Sequence, residues 1–335
     1  MAVQRFSFNQ IESSETNSHS ADSNDGLVQY SVKSSLAGIE LDSVHFADFN
    51  GDGKTDMFRV VGSNWQISYD TTEAWRTVNI DANYSFDDLL FGDFNGDGAT
   101  DVFTIGAGTG QRNWLVSLNG NQALNRIGPT STYSIFNVVD LDGDNQSDIF
   151  LVNNGWKYSA NGTTGWSKIS SRYEQPSYLL DITGDGITDA ILMDGSNWYL
   201  SDGTRGDWEL LQTNSELKND IIVGDFNNDG KEDALRINGN QFEISSAFSG
   251  NWTYFKDNLN VLNSDLAVAD LNNDGFDDLV SQQENGDWYY SLTGSNDWSV
   301  FEIDSQNDDL NSESFSAGQI DHPINDDYVI DSLNL

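Results

Sequence analysis

Apolar residues in this chain come in short runs of three to five, separated by clusters of Asp, Asn, Gly and Ser. Runs of that length bounded by turn residues predict strands, and helical spacing is nearly absent. The stretch from Ile221 to Phe255 shows the unit. Ile221–Gly224 reads as strand A, and Asp225–Asp233 as an acidic loop. Ala234–Ile237 reads as strand B, followed by a tight turn at 238–240. Phe242–Ser245 alternates as strand C, and Trp252–Phe255 closes the unit as strand D. Four short antiparallel strands in about 45 residues make one propeller blade.

The unit repeats. The acidic loop Asp-x-(Asn/Asp/Thr)-x-Asp-(Gly/Asn)-x-x-Asp starts at Asp48, Asp93, Asp140, Asp181, Asp225 and Asp270, at intervals of 45, 47, 41, 44 and 45 residues. The blades predicted from this period lie at about 41–80, 86–130, 135–172, 177–215, 219–259 and 264–304. A seventh is expected from 314–335 together with 3–34. There Ala317–Ile330 aligns with Ala269–Val280, and Gln4–Phe8 and Val28–Val32 resemble strands C and D. The expected fold is therefore an all-β, seven-bladed propeller whose ring is closed by the two chain ends, in one domain spanning 1–335.

Strand C carries Trp with Ser three residues later at Trp65/Ser68, Trp114/Ser117, Trp156/Ser159, Trp198/Ser201 and Trp288/Ser291. Strand D opens with Trp75, Trp166, Trp208, Trp252 or Trp298. Large aromatics repeated in this way are read first as packing between neighbouring blades.

The acidic loop has the chemistry of a calcium site. Calcium takes six to eight oxygen ligands, and carboxylates or amides at positions 1, 3, 5 and 9 can wrap one ion, with the carbonyl of position 7. The first loop would supply Asp48, Asn50, Asp52, Lys54 and Asp56, and the second Asp93, Asn95, Asp97, Ala99 and Asp101. The third would supply Asp140, Asp142, Asp144, Gln146 and Asp148, with Asn145 in the slot where a turn favours Gly. The fourth would supply Asp181, Thr183, Asp185, Ile187 and Asp189. The fifth offers Asp225, Asn227, Asp229, Lys231 and Asp233, and the sixth Asp270, Asn272, Asp274, Phe276 and Asp278. The corresponding C-terminal segment has Gln319, Pro323 and Ile324 where ligands and Gly would stand, so six ions are expected and none at a seventh blade. An EF-hand is not indicated, because the twelfth-position Glu and flanking helices are missing. The plain alternative is a set of solvated acidic turns, but carboxylates this dense repel one another without a cation.

Composition narrows the partners. The net charge is -39, so six Ca²⁺ would leave -27. No basic footprint exists for nucleic acid, and an anionic membrane surface is disfavoured. No run is long enough for a membrane-spanning helix. Cysteine is absent, so disulfides and thiolate chemistry are absent too. The first residues lack the apolar core of a signal peptide, and the expectation is an extracellular or cell-surface bacterial protein, with its signal trimmed or using another export route.

Phe91–Phe103, read Phe-Gly-Asp-Phe-Asn-Gly-Asp-Gly-Ala-Thr-Asp-Val-Phe, closely resembles the FG-GAP/VCBS repeat family of calcium-loop propellers, which is related to the integrin alpha-subunit head. The resemblance covers about residues 40–305. It implies a seven-bladed propeller with structural calcium. Adhesion modules, lectins and accessory parts of polysaccharide enzymes all occur in that family, so it implies function only loosely.

Strand direction puts the A–B loops and C–D loops on one face of the disc, leaving the B–C turns on the other. That second face carries Asn64-Trp65, Arg112-Asn113-Trp114, Asn197-Trp198 and Asp287-Trp288. An aromatic ring beside an amide suits a sugar, through stacking and hydroxyl hydrogen bonds, although a turn Asn before a buried Trp has the same spelling. The tripeptide Arg205-Gly-Asp207 sits in a C–D loop and is read as chance. An enzyme would need a charge-handling constellation, and His19, His45 and His322 are not brought together by the pattern. The expected function is a non-catalytic, calcium-stabilised, lectin-like module binding carbohydrate at repeated sites. A polysaccharide lyase or hydrolase, or an integrin-like adhesion module, are the alternatives.

Overall fold

The computed structural model describes residues 33–304 apart from 37, 79–83, 107–111, 129–135, 214–220, 258–265 and 294–296. Each acidic loop joins the first two strands of a four-stranded antiparallel sheet, and each sheet runs in simple sequence order. In blade 1 the strands are Val44–Ala47, Asp56–Val61, Asn64–Ser68 and Arg76–Val78. Blade 5 has Ile222–Gly224, Asp233–Asn238, Gln241–Ser245 and Thr253–Asp257, so strand B begins one residue earlier than its apolar run and takes in the ninth loop residue. The alternation is real: Met57 and Phe58 are buried on opposite sides of one strand, against different neighbouring blades.

Six such blades are present, not seven. The described chain contains six four-stranded sheets and one two-stranded ribbon, in which Lys33–Ser35 pairs with Glu302–Asp304. Six cores lie between adjacent blades, and one of them joins the last blade to the first. It brings Val44, Phe46 and Trp75 of blade 1 together with Ala267, Val280 and Trp288 of blade 6, sealed by Leu36, Phe301 and Ile303. The first strands of these two blades touch each other, as they do between blades 2 and 3 and between blades 5 and 6. Direct contact leaves no gap for a further blade. The expected seventh blade came from strand-like spelling at 3–34 and 314–335, almost all of which lies outside the described residues; Lys33 and Ser34 belong to the ribbon instead. The ring is closed by blade-to-blade packing, which removes exposed edges on the inner strands.

Packing between blades is aromatic. Trp65, Trp114, Trp156 and Trp198 are 0% exposed, and Trp288 is 1%. Trp114 meets Trp166 edge-on at 5.3 Å, and Trp156 meets Trp208 at 5.6 Å. Burial of such rings dominates the energetics of a small repeat, at about 25 cal/mol per Å² of apolar area. Cations also enter the seams, Arg59 over Trp75 and Arg236 over Trp252 among them. The Arg172 guanidinium lies between Trp156 and Trp208, 5.3 and 5.1 Å from their centres. Lys256 is buried, and its Nζ donates to the hydroxyl of Ser291 at 3.0 Å and the carbonyl of Leu292 at 2.9 Å.

Candidate metal loops and the opposite face

The acidic loops are wound around their first aspartate. In blade 1 the Asp48 carboxylate accepts backbone N–H bonds from Asn50, Gly51 and Gly53. Asp140 does the same for Asp142, Gly143 and Asn145. The fifth-position carboxylate accepts the N–H of position 7, as from Lys54 to Asp52 and from Ile187 to Asp185, both at 2.9 Å. Two residues of each loop take left-handed backbone. Position 6 is Gly or, in loop 3, Asn145 at φ 60, as its tolerance for that region allows. Position 4 is also left-handed and is always Gly or Asn, for example Gly51 at φ 76 and Asn228 at φ 54. Sequence reasoning missed position 4, although its restriction to Gly and Asn was the signal.

The ninth-position aspartates are the buried anchors. Asp56, Asp101, Asp148, Asp189, Asp233 and Asp278 are each 0% exposed. One oxygen of Asp56 accepts the N–H of Phe49 within the loop, and the other accepts the N–H of Asp70 in the C–D turn, both at 2.9 Å. Asp101 binds Phe94 and Asn119 in the same way, and Asp148 binds Leu141 and Asn161. Each carboxylate thus ties the acidic loop to the neighbouring turn of its own blade. Burial pushes Asp56, Asp101, Asp148, Asp233 and Asp278 up to about 6, against the pull of their backbone donors.

Position 8 joins one blade to the next. The N–H groups of Thr100, Ser147, Thr188, Glu232 and Asp277 donate to the carbonyls of Asp48, Asp93, Asp140, Asp181 and Asp225, the first residues of the preceding loops. At the closing junction the Thr55 hydroxyl donates to the Asp270 carbonyl. The six loops therefore form one hydrogen-bonded circle. No feature of a single repeat could have indicated this, because each bond spans about one repeat length or more.

The residue set fits a hard cation. Carboxylate oxygens of Asp140, Asp142 and Asp148 lie within 4.8 Å of one another. Among the described residues four buried side-chain oxygens have no hydrogen-bond partner: Gln212 Oε1, outside the acidic loops, and three within them, Asp142 Oδ1, Thr183 Oγ1 and Asn227 Oδ1. All three stand at position 3 of their loops. An orphaned buried oxygen costs about 1–3 kcal/mol. Three at one loop position, aimed among carboxylates, suit oxygen ligands of a cation. Burial, reinforced by Asp144 and Asp140, raises the Asp142 carboxyl above its ordinary range.

On the opposite face the Asn-Trp pairs divide. Asn64 and Asn113 are exposed, and Arg112, Asn197 and Asp287 are partly so. Their tryptophans are the seam residues described above, so Trp65, Trp114, Trp198 and Trp288 offer no ring to a ligand. The indole N–H of Trp288 donates to the carbonyl of Ile39 and that of Trp156 to Glu174, both inside the seams. His45 is also a packing group, 7% exposed and stacked at 3.8 Å on Phe91. His19 and His322 lie outside the described residues.

The family model for the FG-GAP-like repeat matches residues 93–151, which run from the second acidic loop through strand B of blade 3. The same loop geometry recurs in all six blades. Residues 93–151 thus carry an FG-GAP-like repeat within a six-bladed β-propeller. A search of curated protein sequences gives no significant match. Among solved structures, the propeller is similar to one described as YCF48 bound to D1 peptide, with a TM-score of 0.46 and 14% identity over 82% of this chain and 85% of that one. It is similar to the GH74 enzyme of Niastella koreensis at a TM-score of 0.43 and 12% identity, covering 77% of this chain and 45% of that one. A third similarity is to a chain in the TcdB2-TccC3-Cdc42 structure, with a TM-score of 0.42, 16% identity, and coverage of 77% and 14%. These are likenesses of gross shape, and the chain spans less than half of the second and third structures' chains.

Proposed function

We propose that this FG-GAP-repeat propeller is a calcium-stabilised, non-catalytic binding module whose ligands are carbohydrates. The observation that carries the calcium part is the set of orphaned oxygens at Asp142, Thr183 and Asn227, all at loop position 3. Calcium would be held by positions 1, 3, 5 and 9 of each loop with the carbonyl of position 7. It would neutralise the clustered carboxylates and link the buried ninth residue to the exposed turn. Sites of this kind suit surroundings rich in free calcium, which fits an extracellular or cell-surface setting. The loops stiffen one face, leaving the other for contact. The exposed amides of Asn64 and Asn113 supply hydrogen-bonding groups there, without the aromatic stacking that the sequence suggested.

A glycan array probed with and without EDTA, alongside metal analysis, tests the reading. Close to six calcium ions per chain and glycan capture that weakens on chelation are expected. Three ions or fewer would overturn the calcium assignment. Cleavage of a polysaccharide without retained binding would replace the module by an enzyme.

A further inference from the structure

A groove of about 450 Å³ opens between the segment that follows the last strand of blade 3 and the C–D loop of blade 4. Tyr173 stands in it with 69% of its surface exposed. The chain on both sides of this residue is held. Before it, Arg172 is fixed between Trp156 and Trp208, and donates to the Ser201 hydroxyl at 2.8 Å and to the Gly206 carbonyl. After it, the Glu174 carbonyl accepts the indole N–H of Trp156 at 2.8 Å. The Tyr173 hydroxyl itself donates to Asn154 at 3.3 Å. The fold thus fixes the backbone that carries an exposed aromatic ring, removing beforehand part of the entropy cost that a ligand would otherwise meet.

The rim of the groove has both signs of charge. The Arg205 guanidinium donates to the Leu141 carbonyl at 3.5 Å and attracts the Asp142 carboxylate beside it, and a planar group with five N–H donors can serve a ligand as well. The exposed Asp207 carboxylate lies 3.5 Å from the Arg172 guanidinium and keeps its solvent side open, and the Glu174 carboxylate accepts the N–H of Tyr173 at 3.1 Å. An apolar ring face flanked by both strong donors and strong acceptors matches a molecule with C–H patches and vicinal hydroxyls. A polyanion is disfavoured by the net charge of -39. We infer that this groove binds a neutral, hydroxyl-rich sugar residue, stacked on Tyr173 and hydrogen-bonded by Arg205 and Asp207. The inference rests on the carbohydrate reading above, but moves its principal site from the B–C turns to the seam between blades 3 and 4.

Affinity electrophoresis tests it, using gels that contain soluble β-glucan, galactomannan, arabinoxylan or, as the acidic arm, polygalacturonate. The calcium-loaded full chain should be retarded by at least one neutral polysaccharide, equally at low and high salt. Tyr173→Ala should weaken that binding roughly tenfold, as loss of an aromatic contact does, with an unchanged melting curve because the ring is exposed. Arg205→Met should also weaken it. If the parent is retarded and Tyr173→Ala is retarded equally, the groove is not the site and the carbohydrate reading stands. Retardation by polygalacturonate alone would overturn the neutral-sugar assignment. If no gel retards the parent, both the groove and the carbohydrate reading fall.

Discussion

The Thr55 hydroxyl donates a 2.5 Å hydrogen bond to the carbonyl of Asp270, and this contact joins blade 1 to blade 6. The other five junctions make the corresponding bond with a backbone N–H, which no side-chain substitution removes. Thr55→Val should therefore lower stability by about 1 kcal/mol, the usual net value of one hydrogen bond. Thr100→Val and Thr188→Val keep their backbone bonds and should cost less. Urea denaturation of the three variants distinguishes them; equal losses would mean that the closing bond is not special.

Ring closure through the shared core of blades 1 and 6 has a second consequence. A chain cut to residues 33–304 retains every described contact across that junction, including the ribbon of Lys33–Ser35 with Glu302–Asp304. It should unfold in a single cooperative transition as a monomer. Aggregation or a broad, non-cooperative melt would show that the omitted ends are needed to close the ring.

Calcium should stabilise the folded state by mass action. A site that binds only the native chain adds about 3–4 kcal/mol when well saturated. Excess chelator is expected to lower the melting temperature clearly. Asp142→Ala should reduce the bound ions by about one. An identical melting curve for verified metal-free protein would contradict a structural role.

The buried tryptophans and the exposed asparagines beside them should separate cleanly. Trp65→Ala empties a fully buried site shared by two blades and should cost about 3–5 kcal/mol. Asn64→Ala removes an exposed amide and should stay within about 0.5 kcal/mol. Thermal melts of the pair would check this, and similar losses would put the indole outside the core.

Lys256 gives a pH dependence of known sign. Burial lowers its amine to about 8 from the ordinary 10.5, with Asp278 opposing the shift. The folded state therefore penalises the charged amine. Below pH 8 both states are protonated and the penalty is constant. Between about 8 and 10.5 the folded protein releases the proton first, so stability rises with pH, by at most on the order of 3 kcal/mol. Lys256→Met should flatten that rise relative to the parent. A parallel pH profile for the two proteins would rule the lysine out as its source.

Much of this was legible in the sequence because the repeat is local. The period, the four strands and the turn at Asn145 all follow from residues close together in the chain, and the structure has them. Of what lies between blades, only the packing of repeated tryptophans such as Trp65 was legible. The seam position of Arg172 and the position-8 bonds depend on a neighbour tens of residues away. The blade number depends on whether the Asp270 loop meets the Thr55 loop, which residues more than 200 positions apart decide. Strand-like spelling at the ends therefore suggested a further blade, whereas packing between blades 1 and 6 limits the count to six. Tyr173 carried no repeat signal, since it follows strand D only in blade 3.

The position-8 circle also means that the order of the blades along the chain is arbitrary. The junction of blades 6 and 1 has a shared core and a loop-to-loop bond like the others, and the residues at its two ends, Lys33 and Asp304, are already paired. Joining those ends and opening the polypeptide between blades 4 and 5 would yield a circular permutant with the same set of neighbours. Such a molecule should reach the same native state, with a different blade made first as the chain leaves the ribosome.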